Sequence, residues 1–422
     1  ANNAFTQVGI GSGGDPGGTS YLKDLPANPG ADFIVATDQN FANVYLGSGV
    51  NFSSIQQISS ISPANKFSVT DDGSAIFYVG TDKLIHAIVI NFTNGNVQDV
   101  IISNDAIWSN VAISKDGKRF AAITDEGINE LWVYDYTIQS WKTFTLFNPT
   151  YTEGVTTGDV LYPDVLDWDY SGNYVMYDAL NQIKDANNNI IEYWDISFIR
   201  AFDKNTTQYG DGEISKLFNG LAENTSIGNP SFSKNSPYII GFDFVDETAN
   251  ENDIVNANIE TGDYGFIINQ GEVGYPSFSK LDDYIIFNTI TDNIGFAKLG
   301  TNKITYANSK GNIFTDARWG NWFANGIRDI NIATNEQLDT KQNWSLNPTL
   351  ASGQIRITSQ ETTEKGVIQV FDALGRQVLA NELEATQSGA DQIINVSNIN
   401  PGNYFVRIQA GKSIQTSRFI KN

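Results

Sequence analysis

Hydrophobic and polar positions alternate along this chain in short runs, and apolar residues almost nowhere recur at the three-to-four spacing of a helix. The runs come in pairs around a polar turn. The clearest copies read Phe67-Ser68-Val69-Thr70-Asp71-Asp72-Gly73, Val111-Ala112-Ile113-Ser114-Lys115-Asp116-Gly117 and Leu166-Asp167-Trp168-Asp169-Tyr170-Ser171-Gly172. Two more are Pro230-Ser231-Phe232-Ser233-Lys234-Asn235-Ser236 and Pro276-Ser277-Phe278-Ser279-Lys280-Leu281-Asp282. A second apolar run follows each turn, at residues 75–79, 119–124, 174–178, 238–242 and 284–288; a third is clearest at 130–135 and a fourth at 142–146. Asp-Gly and Ser-Gly supply the positive φ that tight hairpins require, and β-branched or aromatic residues fill the strands between. The repeat length of about 45 to 65 residues suits four short antiparallel strands.

Such units pack radially around an axis, which leaves only short protected sheet edges, and the predicted fold is therefore an all-β propeller. Residues 32–38, 43–47 and 53–59 read as the second to fourth strands of a blade with no first strand, whereas 313–322 reads as a first strand with nothing after it. Joined, they complete one blade and give six; seven is the alternative if residues 1–31 contribute strands. Those residues, with Gly11-Ser12-Gly13-Gly14 and Gly17-Gly18, otherwise read as a flexible lead-in. The turn motifs resemble the repeats of the TolB-like and WD40-like propellers, whose blades carry a Pro-x-Phe-Ser-x-Asp-Gly turn before a hydrophobic strand. The resemblance is clearest at 230–236 and 276–282, good at 113–117, and covers about residues 59–322. The propeller is expected over 32–323, with a polar linker at 324–343.

Residues 344–422 form a second unit, with alternating strands expected at 354–358, 366–372, 377–383, 391–396, 403–409 and 414–420, the pattern of a small Ig-like β-sandwich. Its landmarks are Asn347-Pro348, Ile368-Gln369-Val370-Phe371-Asp372, Leu374-Gly375-Arg376, the run 396–399, Gly402-Asn403-Tyr404-Phe405-Val406-Arg407-Ile408 and Arg418-Phe419-Ile420-Lys421. In this order they resemble the type A C-terminal sorting domain of Bacteroidetes type IX secretion. The resemblance implies a sandwich read by the outer-membrane translocon and its sorting-domain-binding components, often cleaved after transport. It also implies a route through the periplasm and outer membrane to a secreted or cell-surface location. Pro348, Asp372, Gly375, Arg376, Gly402, Tyr404, Arg407 and Lys421 are the matching motif residues. Residues 376–393 are longer and more acidic than the leanest members.

Charge sharpens the division. The net charge is −22, yet residues 336–422 hold 8 acids and 8 bases, so the whole excess lies in the 40 acids and 18 bases of residues 1–335. Nucleic acid is an improbable partner for such a surface, since that affinity rests on Lys and Arg neutralising phosphates. With no Cys and one His, thiolate chemistry, iron–sulfur clusters and multi-His zinc centres are excluded; no cofactor or metal is expected. No apolar run reaches 18 residues, and the start of the chain reads as that of a soluble protein whose export signal has been removed.

Candidate chemistry is sparse. His86 sits in the strand-like run Leu84-Ile85-His86-Ala87-Ile88-Val89-Ile90 and reads as a sheet residue rather than a base, and no Gly-x-Ser-x-Gly elbow occurs. Asp185-Ala186-Asn187-Asn188-Asn189-Ile190 opens like a calcium loop but lacks Gly at its sixth position and Glu at its twelfth, so a hairpin tip is expected. Residues 246–253 are acidic without a pattern. Arg119, Arg200, Arg318 and Arg328 are too few for a sialidase-like cluster.

The informative positions precede each innermost strand, where blades converge on the channel: Lys66, Asn110, Val165 beside Asp164, Asn229, Tyr275 and Asp316. They vary in type while the strand behind them repeats, as a site grafted on a repeated scaffold would. Trp108, Tyr162 and Trp319 lie nearby, either to stack on a ligand or to fill the seams between blades. The expected function is an exported cargo whose propeller acts as a binding or scaffold module for a glycan or protein. The alternative is a glycoside hydrolase or lyase acting on extracellular polysaccharide, which would need converging carboxylates.

Overall fold

The computed structural model describes residues 8–9, 20–22, 30–103, 105–125, 128–149, 156–185, 187–218, 221–222, 224–236, 238–269, 271–325, 344–348, 350–359, 362, 364–372, 377–385, 387–410 and 413–421. The chain divides into two compact units, 1–332 and 333–422.

The first unit is a β-propeller. Blade one comprises Ser68–Val69, Ala75–Val79, Ile85–Asn91 and Asn96–Ser103, from inner to outer strand. Blade two is Trp108–Ile113, Arg119–Thr124, Glu130–Asp135 and Ser140–Thr145; blade three is Thr156–Trp168, Tyr174–Lys184, Ile190–Arg200 and Ile214–Lys216. Blade four is Thr225–Phe232, Ile239–Asp246, Glu251–Asn258 and Tyr264–Asn269; blade five is Ser277–Phe278, Tyr284–Thr289, Asn293–Leu299 and Tyr306–Thr315. The sixth sheet closes the ring: its inner strand Ala317–Ala324 pairs with Asp32–Asp38, followed by Val44–Ser48 and Ser54–Ser59.

The polar turns do the work their composition predicts. Thr70 donates to Asp72 at 2.8 Å and accepts from the Ala75 amide at 3.1 Å, while Gly73 takes φ +72°. Inner strands then tie to their neighbours around the axis. The Ile113 amide donates to Ser68 Oγ (3.0 Å), Trp168 Nε1 to the Ala112 carbonyl (3.0 Å), the Phe232 amide to Asp167 (2.9 Å) and the Trp322 amide to Ser277 Oγ (3.1 Å). The Lys234 amide donates to Asp282 at 2.7 Å between blades four and five, and Asn321 Nδ2 completes the circuit to the Phe67 carbonyl at 2.8 Å. Asn321 is half-buried and the other donors are buried, and leaving a buried one unpaired would cost about 1–3 kcal/mol.

Two expectations are corrected. The run 313–322 is not one strand: Asp316 adopts φ 55°, so residues up to Thr315 finish blade five and Ala317 begins the closing strand. Apolar alternation passes through this break without a mark. Of residues 1–31, read as a lead-in, Val8–Gly9 pairs in parallel with Tyr306–Thr315 and Ser20–Tyr21 pairs with Asn96–Ser103, extending existing sheets rather than building one.

The second unit packs a sheet of Trp344–Asn347, Gln354–Ser359 and Asp391–Asn395 with one of Leu350–Ala351, Ser413–Lys421, Gly402–Ala410, Gly366–Asp372 and Gln377–Leu383. Its core is built from alternate residues, among them Ile355, Ile357, Ile368, Val370, Tyr404, Val406 and Ile408, around the buried Trp344 and Phe419. Tyr404 stacks on Phe419 at 5.5 Å and donates to the Asn400 carbonyl at 2.7 Å.

Candidate functional site

Antiparallel succession puts the start of every inner strand and every second-to-third-strand loop on one face of the propeller, which contains the channel mouth. Register identifies the equivalent positions two residues before Ser68, Ala112, Asp167, Ser231, Ser277 and Asn321: Lys66, Asn110, Val165, Asn229, Tyr275 and Trp319. Trp319 therefore holds the place assigned to Asp316, which is exposed in the turn before the closing strand. Trp108 is not at the mouth either. It is 3 % exposed, stacks on Trp141 at 5.7 Å and fills the seam between blades one and two.

The remaining expected residues converge. Asp164 Oδ1 accepts from Asn65 at 3.0 Å and its carbonyl from Asn110 Nδ2 at 2.8 Å. Lys66 reaches across to donate to the Pro230 carbonyl at 2.9 Å. Asn229 Nδ2 donates to Asp243 at 2.8 Å, and the half-buried Tyr162 and Tyr275 stand beside these groups.

The sequence reading missed Asp178 and Asp243. Asp178 accepts from the Val165 amide (2.6 Å) and the Asn229 amide (2.6 Å); Asp243 accepts from those of Gly274 (2.7 Å) and Tyr275 (3.1 Å). Asn288 does the same for the Trp319 amide at 2.9 Å. The acceptors matter because Asn229, Tyr275 and Trp319 all take positive φ (52°, 52° and 55°), a conformation that costs a non-glycine residue and needs to be held by its surroundings. A signal existed: a polar residue ends the second apolar run at the same repeat position in Tyr177-Asp178, Phe242-Asp243 and Phe287-Asn288.

Burial dominates the electrostatics. It pushes Asp178 up to about 7, with the adjacent Asp164 adding to the rise, and Asp243 up to about 6. It raises Asp164 too, against the help of Asn65 and Lys66. Burial lowers Lys66, which Asp167, Asp178 and Asp243 partly restore. Burial and then Asp164, Asp178 and Asp243 push the Tyr275 phenol up, keeping it a neutral donor. Below Lys66 the channel narrows among Lys115, Asp167 and Lys234; the Lys115–Asp167 pair is at 2.8 Å, and burial followed by Lys115 brings Lys234 down to about 7.

His86 lies outside this site. Its ring is 3 % exposed between Asp99 (3.2 Å) and Asp82 (3.1 Å), stacked on Tyr78. Asp185 accepts from the Asn187 and Asn189 amides at a hairpin tip, and no group of three or more metal-ligating side chains occurs among the described residues.

In the second unit, Pro348 follows the first strand through a cis bond, Asp372 ends Gly366–Asp372 opposite Tyr404, and Lys421 is buried while Arg407 is half-buried. Gly402 opens its strand outside the left-handed region. Gly375 and Arg376 lie outside the described residues.

Strand order and channel thus define an all-β protein, a propeller followed by a sandwich-like unit. Residues 346–422 match the family described as secretion system C-terminal sorting domain. This tail marks the chain as cargo for secretion or cell-surface export by the type IX route, and no helix among the described residues is long and apolar enough to cross a membrane. No curated protein matches the chain by sequence. Among solved structures it is similar to TolB from Acinetobacter baumannii, with 13% identity and a TM-score of 0.49 over 69% of this chain and 66% of that one. An oligogalacturonate lyase from Vibrio parahaemolyticus gives 11%, 0.36, 68% and 87%, and the Swd1 β-propeller domain from Myceliophteria thermophila gives 10%, 0.34, 66% and 86%.

Proposed function

We propose that the protein is an exported binding module: the C-terminal unit is read by the outer-membrane translocon, and the propeller mouth holds a donor-rich, cationic segment of a protein partner. The observation that carries this reading is how the mouth spends its carboxylates. Both oxygens of Asp178 and of Asp243 accept hydrogen bonds from backbone amides, so these acids hold the blade entries in shape instead of facing a substrate. Asp164 differs, having one oxygen on Asn65 and the other without a hydrogen bond among the described residues. With Tyr162, Tyr275 and Trp319 around it and Lys66 crossing the floor, the mouth is a cup with an acidic wall and aromatic rim. Such a surface attracts and orients a basic segment.

The experiment is calorimetric titration of the full chain with Lys- and Arg-bearing peptides and their acidic counterparts. Salt-sensitive binding of the basic set, weakened at least tenfold in Asp164→Asn, supports the reading. Equal binding of both sets overturns it. A polysaccharide hydrolase or lyase remains the second reading, favoured by the adjacent raised acids Asp164 and Asp178. Polysaccharide cleavage abolished by Asp178→Asn in a folded protein would establish it.

A further inference from the structure

A second cavity, of about 750 Å³, opens between blades one and two at the face opposite the mouth. Its origin lies in the repeat. Register places Ala75 level with Arg119, Tyr174, Ile239, Tyr284 and Phe33 of the other five blades. Several of those side chains fill a seam: Arg119 lies 3.5 Å over the Phe202 ring, Tyr284 stacks on Trp322 at 6.4 Å, and Phe33 packs on Phe92 at 5.3 Å. Opposite Phe77, Ala87 occupies the place of Val133, Phe198, Asn256, Phe296 and Leu46. Blade one is thus small at two repeated positions on the same face, and only there do both coincide.

The walls are chemically unlike. Ala87, Val89 and Ile102 form an aliphatic side, and Tyr136 faces them, in edge contact with Tyr134 at 5.1 Å. The inner end carries Asp72, Asp116 and Tyr170. The hydroxyls of Tyr136 and Tyr170 have no hydrogen-bond partner among the described residues, and burial pushes Tyr136 up to about 12, so it stays a neutral donor. Asp72 and Asp116 are charged, their acidity strengthened against burial by their own turn donors and, for Asp116, by Lys204 and Arg119. The one cation in the lining, Lys115, is paired with Asp167, so the free charge at this end is the Asp72 carboxylate, which disfavours an anionic occupant.

We propose that this groove binds a neutral, β-linked glucan-type oligosaccharide. A pyranose ring with equatorial hydroxyls has two apolar faces, suited to an aliphatic wall opposite an aromatic one, and a polar edge suited to the tyrosine hydroxyls and carboxylates. The volume lies within the range of small-molecule sites, which are mainly apolar with a few placed polar groups. The groove shares none of the residues at the mouth, and of those lining the channel below it only Lys115, whose ammonium is committed to Asp167 at 2.8 Å, so the two sites are tested separately.

The test titrates the full chain with cellohexaose, and with hexagalacturonate as the anionic comparator, following heat and tryptophan fluorescence. Cellohexaose should bind and hexagalacturonate should bind at least tenfold more weakly. Ala75→Phe, which restores the residue of Phe33, and Ala87→Leu, which restores that of Leu46, should each weaken cellohexaose at least tenfold. Tyr136→Phe should weaken it several-fold with unchanged melting. Absence of cellohexaose binding by the unaltered chain, tighter binding of hexagalacturonate, or undiminished binding by either folded filling variant overturns the proposal. Should Ala75→Phe fail to fold, Ala87→Leu and Tyr136→Phe decide it.

Discussion

Lys66 and Pro230 meet across the propeller axis, the lysine Nζ donating to the proline carbonyl at 2.9 Å and joining blade one to blade four. The same ammonium group favours the ionised forms of Asp178 and Asp243. Lys66→Met should destabilise the propeller by about 1.5–3 kcal/mol at pH 7.5, the usual worth of a hydrogen bond from a charged group. The cost should shrink near pH 5, where Asp178 and Asp243, raised to about 7 and about 6, are largely protonated and need no counter-charge. Urea unfolding at the two pH values checks this.

Asp243 serves three donors, the Gly274 and Tyr275 amides and Asn229 Nδ2. Asp243→Ala should cost about 3 kcal/mol or more, since each orphaned buried donor costs about 1–3. Asp164→Asn, which keeps the shape of a less enclosed residue, should cost under about 1 kcal/mol. Equal losses on thermal melting would contradict the division between bracing and ligand-facing acids.

His86 is held between two carboxylates at the junction of blade one with the closing blade, where Ser59 and Tyr78 both hydrogen-bond to Asp99. Burial alone would lower its affinity for a proton, but Asp99 and then Asp82 outweigh it and the net shift is upward. Stability from this group is therefore fully present below the unfolded value of about 6.5 and is lost as pH rises through the higher folded value. His86→Gln should be more destabilising at pH 5.5 than at pH 8.5, measured by chemical denaturation.

Tyr404→Ala should cost the second unit about 3–5 kcal/mol, through loss of a large buried ring. Tyr404→Phe should cost about 1 kcal/mol, through the bond to Asn400. Gly402→Ala should be nearly silent, because its methyl would meet only the Tyr404 ring at 3.6 Å. Melting of the isolated unit, 344–422, and of the full chain distinguishes these outcomes.

Ending the chain at residue 342 removes the matched sorting region and none of the described propeller strands. The shortened protein should keep the propeller's melting transition and remain in the periplasm, as read by cell fractionation. Its appearance in the medium at the level of the full chain would remove the tail's role in export.

The strands were legible because turns such as Asp72-Gly73 and Asp116-Gly117 carry their own chemistry, and so was the joining of residues from both ends of the first unit into one sheet. The mouth was legible only where the repeat held register. At the closing strand, alternation runs through Asp316 while the backbone breaks there, which moved the expected residue three places from Trp319. Asp178 and Asp243 escaped because their partners are backbone amides of other strands, and only the folded register brings those together. Lys66 was identified by position, yet its reach to Pro230 depends on the folded ring.

The closing sheet pairs Phe323 with Phe33, residues separated by nearly the whole first unit, and the sorting region follows it in the sequence. During synthesis from the amino terminus the ring stays open until its final strand has emerged. Premature termination anywhere before that strand yields a product lacking both the closure and the address. Chain order therefore acts as a proofreading device: every molecule that can be recognised for export already contains all the parts of a shut ring.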